Sequence, residues 1–87
     1  MNWTFLFTKQ SLKDARKLKA AGLWRKASEL LAVLQTNPFQ NPPPYEKLMG
    51  DLAGAYSRRI NLQHRLVYSV NEPARQVTVL RMWTHYE

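Results

Sequence analysis

The spacing of apolar residues changes character along the chain, and each change predicts an element. Trp3 to Phe7, Trp-Thr-Phe-Leu-Phe, is a short apolar and aromatic run that predicts a buried first strand. Thr8 then offers a hydroxyl suited to capping a helix N-terminus. Lys9 to Ala21 follows as a basic helix with Leu12, Ala15 and Leu18 on one face, and Gly22 is a good stop residue. From Leu23 to Thr36 the apolar residues Leu23, Ala27, Leu30, Leu31 and Leu34 recur at i, i+4, i+7, i+8 and i+11, the stripe of an amphipathic helix. Two such helices joined by one glycine turn predict a hairpin.

Asn37 to Pro44 carries four of the five prolines and can neither continue a helix nor enter a sheet interior. It reads as an extended connector that delivers Tyr45, Glu46 and Leu48 to a fixed place. Asp51 to Gly54 reads as a turn or a very short strand. Alternation then takes over in Tyr56 to Leu62, Arg65 to Val70 and Gln76 to Trp83, with turns at Asn61 to His64 and Asn71 to Ala74. The predicted fold class is α+β: a two-helix hairpin packed on one face of a small, mainly antiparallel twisted sheet. Strand parity turns Ile60, Leu66, Tyr68, Val70, Leu80 and Met82 toward the helices. It turns Arg59, Arg65, Arg81, Trp83 and His85 to the opposite face.

Composition narrows the function. At 87 residues the chain reads as one domain, residues 1–87, whose core must be thin, since a chain this short buries only about 60% of its unfolded surface. Without cysteine there is no disulfide framework, thiolate nucleophile or cysteine-held metal, and two histidines are too few for a histidine-rich metal cage. No apolar run approaches the roughly 20 residues of a membrane helix, and the N-terminus does not open like a signal peptide, so a cytoplasmic protein with no membrane partner is expected. The net charge of +7 attracts polyanions. Five of six lysines fall between Lys9 and Lys26, whereas five of seven arginines fall between Arg58 and Arg81. Helical lysine is usually solvation; arginine among strand aromatics more often meets phosphate, because its planar fork binds oxyanions with two teeth.

The most informative stretch is Tyr56-Ser57-Arg58-Arg59-Ile60-Asn61-Leu62-Gln63-His64-Arg65-Leu66-Val67-Tyr68. It resembles the Arg-Arg-Ile…His-Arg-Leu-Val-Tyr segment of bacterial YoeB/Txe toxins, in the RelE/ParE superfamily. Thr36-Asn37-Pro38-Phe39, Glu46-Lys47-Leu48 with Leu52-Ala53-Gly54, and the terminal His85-Tyr86 match further family motifs in order and spacing. The resemblance covers essentially the whole chain and implies a RelE-like, microbial-RNase-like fold. It implies the toxin of a type II toxin–antitoxin system: an endoribonuclease that cuts messenger RNA in the A site of the 70S ribosome. The implied partner is a cognate antitoxin of the YefM, Axe or Phd kind, with DNA met only through the antitoxin complex; some relatives form homodimers. The implied catalytic residues are Glu46 as general base, Arg65 as phosphate-stabilising cation and His85 as general acid. Arg59 and Tyr86 match active-site positions, and Arg81 and Trp83 join them as substrate-binding candidates from strand parity. Pro42-Pro43-Pro44 departs from the basic and glycine residues common in relatives, which leaves the aim of Glu46 open.

This set suits RNA cleavage without a cofactor or metal. RNA supplies its own 2′-OH nucleophile. A carboxylate removes the proton, arginine stabilises the phosphorane, and an imidazole with a pKa of about 6.5 protonates the 5′-oxygen. Duller readings exist for each: a solvated loop glutamate, surface ion pairs for Arg59 and Arg65, an inert terminal histidine, and aromatics that merely cover the sheet. Two other functions remain on the sequence: a ParE-like gyrase poison on the same fold, which has no need of Glu46, Arg65 and His85 together, and a non-catalytic basic nucleic-acid-binding module, which lacks an arginine-rich recognition helix.

Overall fold

In the computed structural model, which describes residues 3–83, β1 (Thr4–Phe7) leads into α1 (Lys9–Ala20) and α2 (Trp24–Thr36). The proline-rich connector ends in a two-residue strand β2 (Glu46–Lys47) and a 3₁₀ turn at Gly50–Leu52. Three strands follow: β3 (Ala55–Arg59), β4 (Arg65–Asn71) and β5 (Gln76–Arg81). The sheet order is β1-β5-β4-β3-β2, antiparallel except for the parallel β1–β5 pair. The α+β expectation and the hairpin turns hold.

Local chemistry explains the helix ends. The Thr8 hydroxyl accepts the Ser11 N–H at 3.0 Å and caps α1, as expected. Gly22, at φ +77, closes the helix in a left-handed conformation that costs glycine nothing, and the Leu23 N–H then reaches back to the Leu18 carbonyl at 2.8 Å. Leu18, Leu30, Leu34, Ile60, Leu66, Tyr68, Val77, Val79 and Met82 meet in one core between helices and sheet. Burying each large apolar side chain contributes about 1.5–3 kcal/mol.

Four expectations need correction. The first strand is not buried: it is an edge strand, and Leu6 and Phe7 are exposed while Trp3 and Phe5 face the core. Leu12 is also exposed; the inward face of α1 is Ser11, Asp14, Ala15 and Leu18, one residue around the helix. Strand β3 stops at Arg59 rather than Leu62, and β5 at Arg81 rather than Trp83. Strict alternation fails in β5, where Tyr68 pairs with Val79 and Val67 with Arg81, leaving Leu80 as a bulge. Val77 and Val79 therefore fill the core, Leu80 is only half-buried, and Met82 returns inward after the phase shift.

Candidate active site

The connector is fastened from beneath by Arg58, whose guanidinium is almost wholly buried. Alternation with Ile60 aims it inward, under the connector. It donates to the carbonyls of Pro38 (3.0 Å), Gln40 (2.9 Å) and Pro43 (2.6 Å), and its Nε donates to the Tyr68 hydroxyl at 3.1 Å. The Tyr68 hydroxyl in turn donates to Pro38 O at 2.9 Å. Prolines have no N–H to pair with a sheet, so their segment's carbonyls need outside donors, and one fork supplies three. Burial pushes the Tyr68 phenol above its ordinary pKa, with Arg58 partly offsetting the rise, which keeps it a neutral donor. Phe39 and Tyr45 each meet Tyr56 edge-on and meet each other at a tilt, with centroids 5.4–6.3 Å apart.

The connector so held ends at Glu46, which pairs with Ser57 across β2–β3. Ser57 pairs with Val67 across β3–β4, and Arg59 with Arg65. Opposed residues share a sheet face, so Glu46, Ser57, Arg59 and Arg65 lie on the face away from the helices. There the Arg65 guanidinium donates to Glu46 Oε1 at 2.5 Å and contacts Ser57 Oγ at 3.4 Å. Glu46 remains 67% exposed and thus open to a ligand. A carboxylate that can take a proton and a guanidinium that can neutralise a phosphate are brought together from positions 46 and 65. Arg59 is exposed beside them and lines an open groove of about 440 Å³ with Lys26, Leu30, Pro43 and Leu62. Among the described residues no three His, Cys, Asp or Glu side chains cluster as a metal site.

The remaining candidates are placed differently. Arg81 does not stand free on that face: its Nε donates to Asp14 Oδ2 at 2.9 Å, and its other nitrogen donates to the Trp83 carbonyl at 3.0 Å. Trp83 packs against the core and stacks on the His64 ring at 3.9 Å. The bulge at Leu80 and the demand of a fully buried Asp14 for a counter-charge account for both departures from parity. His85 and Tyr86 lie outside the described residues. Sequence reasoning missed Arg58 and Asp14, although signals for both exist. Arg58 has the same parity as Ile60, and Asp14 completes the 11-14-15-18 spacing of an inward helix face.

Comparison with known proteins agrees with the fold. A family model described as "YoeB-like toxin of bacterial type II toxin-antitoxin system" matches residues 7–86. The chain is similar to Toxin YoeB of Mycobacterium bovis, 39% identical over 62 residues and 71% of each chain. It is similar to Toxin YoeB of Escherichia coli K12, 36% identical over the same shares. Among solved structures, a YoeB/ParE toxin from Agrobacterium tumefaciens superposes with a TM-score of 0.86 at 30% identity, covering 95% of this chain and 99% of that one. A YoeB-YefM complex from Staphylococcus aureus gives 0.80 at 30% identity, covering 99% and 100%.

Proposed function

The chain belongs to the YoeB-like toxins of bacterial type II toxin–antitoxin systems, and from that premise we propose that it is a ribosome-dependent messenger-RNA endonuclease that inhibits translation. The observation that carries the proposal is the Glu46–Arg65 contact on an exposed, basic sheet face. Glu46 takes the proton from the 2′-OH. The 2′-oxygen attacks phosphorus, and Arg65 leaves the carboxylate to hold the phosphorane oxygens. The bond from phosphorus to the 5′-oxygen breaks, and His85 delivers a proton to that oxygen. The products are a 2′,3′-cyclic phosphate, or its 3′-phosphate hydrolysis product, and a 5′-OH. Arg59 and Tyr86 hold the flanking RNA. The chain itself supplies base, cation and acid, so cleavage is expected to persist in chelator when polyamines keep the ribosome intact.

The partner proposed for the free toxin is an acidic antitoxin segment that orders on binding, favoured by the +7 charge. A YoeB-YefM complex and a YoeB dimer are known for Staphylococcus aureus. Ribosomes programmed with a messenger carrying 2′-deoxy at the cleaved nucleotide test the reaction. Loss of cleavage there, with cyclic phosphate ends on the normal messenger, is expected. Cutting of the deoxy messenger at the same site would overturn it.

A further inference from the structure

Asp14 is the fully buried acid of α1, and nothing in the cleavage chemistry uses it. Its Oδ2 accepts two hydrogen bonds at 2.9 Å, from Arg81 Nε and from the backbone N–H of Met82, and its Oδ1 accepts one from Gln10 at 3.1 Å. The cap of α1 reaches β5 as well. The Thr8 hydroxyl donates to the Leu80 carbonyl at 3.0 Å, and the Thr8 N–H donates to Val79 O at 3.2 Å. Four consecutive residues, 79 to 82, are thereby tied to the first helix just where the bulge ends the regular ladder. The next residue, Trp83, is held by stacking on His64.

A buried carboxylate is an inefficient way to fill a core, because desolvation cancels much of what its partners return. What it does supply is a fixed point. Met82 lies three residues before His85, and a reacting group displaced by about 1 Å can cost about 10²-fold in rate. We propose that Asp14 is a positioning residue for RNA cleavage: by clamping Arg81 and Met82 it fixes the point from which the segment carrying His85 departs. The inference rests on the reading of His85 as general acid.

The test separates the two. Single-turnover cleavage on programmed ribosomes is measured with a normal messenger and with one in which sulfur replaces the 5′-bridging oxygen at the cleaved bond. A thiolate leaves without being protonated, so a defect confined to the acid disappears on the sulfur substrate. Asp14→Asn, which keeps the shape and loses the charge, is expected to lose about 10-fold on the normal messenger, part of the 10² to 10⁴ that a general acid supplies. On the sulfur messenger it should approach the parent rate, with ribosome affinity unchanged. Thr8→Val, which cuts the second tie, should show the same pattern at smaller amplitude and serves if Asp14→Asn does not fold. Equal loss on both messengers for these variants, while His85→Ala is rescued by sulfur, overturns the positioning role alone. Failure of sulfur to rescue His85→Ala overturns the general-acid reading, and the role of Asp14 falls with it.

Discussion

Two arginine–carboxylate pairs among the described residues differ in where their acid sits. Arg65–Glu46 is the shorter, at 2.5 Å, yet its side chains are 18% and 67% exposed. Arg81–Asp14 is longer, at 2.9 Å; its arginine side chain is 39% exposed, more than that of Arg65, but its carboxylate is fully buried, so the two pairs differ in the burial of the acid. Distance is therefore a poor guide to purpose. An exposed pair is screened by water and salt and contributes about 0–1 kcal/mol, so it can open for a phosphate at small cost. In the Asp14 pair, removing the carboxylate strands the buried Met82 N–H, so it is suited to holding chain in place. Arg58 extends the contrast, as a buried cation whose partners are three carbonyls and a phenol.

Substitutions can break or sharpen that contrast. The largest effect is expected on chemistry at the exposed pair. Glu46→Gln should slow single-turnover cleavage by about 10² to 10⁴-fold, as loss of a general base does, and leave the melting temperature within a degree or two. A variant that melts much lower but cleaves normally per folded molecule would erase the distinction between the pairs.

Arg58→Ala is next. It takes the donor from the Gln40 and Pro43 carbonyls, while the Pro38 carbonyl keeps the Tyr68 hydroxyl; each buried unsatisfied group costs about 1–3 kcal/mol, so a loss of about 3 kcal/mol is expected. Thermal unfolding followed by circular dichroism should show a drop of more than about 10 °C in a domain of this size. A drop as small as that of an exposed arginine would mean that the connector holds itself.

Asp14→Ala should cost about 2 kcal/mol, by stranding the Met82 N–H and taking the partner of Arg81 Nε. Burial pushes the Asp14 carboxyl up, but hydrogen bonds from Met82, Arg81 and Gln10 outweigh it and hold the group below its ordinary 3.8. A lowered folded value means the contribution is in place above 3.8 and fades as pH falls through the folded value. The stability gap between parent and variant, by urea unfolding, should therefore be constant near neutrality and narrow only below 3.8. A gap that widens on acidification would contradict the pairing. The smallest effect belongs to Leu12→Ala, at an exposed position, expected within about 0.5 kcal/mol in the same assay.

Features specified by neighbours in the chain were legible in the sequence; features specified across it were less so. The α2 stripe, the Thr8 cap, the Gly22 stop and the hairpin turns each follow from a few adjacent residues. The parallel docking of β1 on β5 exists only through partners 72 residues away, and the two-residue β2 only through β3, beyond the 3₁₀ turn. The bulge at Leu80 depends on how β5 meets β4, and no alternation rule announces it. Counting only apolar residues as inward made Leu12 look buried and hid Ser11 and Asp14. At the site, motif spacing singled out Glu46 and Arg65, and the fold brings them into contact. It could not say what aims Glu46, because the answer is an arginine on the sheet's other face whose partners are carbonyls, which carry no side-chain signature.

If the Glu46–Arg65 contact carries the reaction while Arg58 and Asp14 carry the architecture, Arg65→Ala separates the two roles. Cleavage rate per folded molecule and melting temperature are measured on the same preparation. The expected result is a rate lower by about 10² to 10³-fold, the usual loss when a transition-state charge loses its stabilising donor, with a melting temperature close to the parent's and only partial recovery in Arg65→Lys. A near-normal rate per folded molecule, with a markedly lower melting temperature, would contradict it.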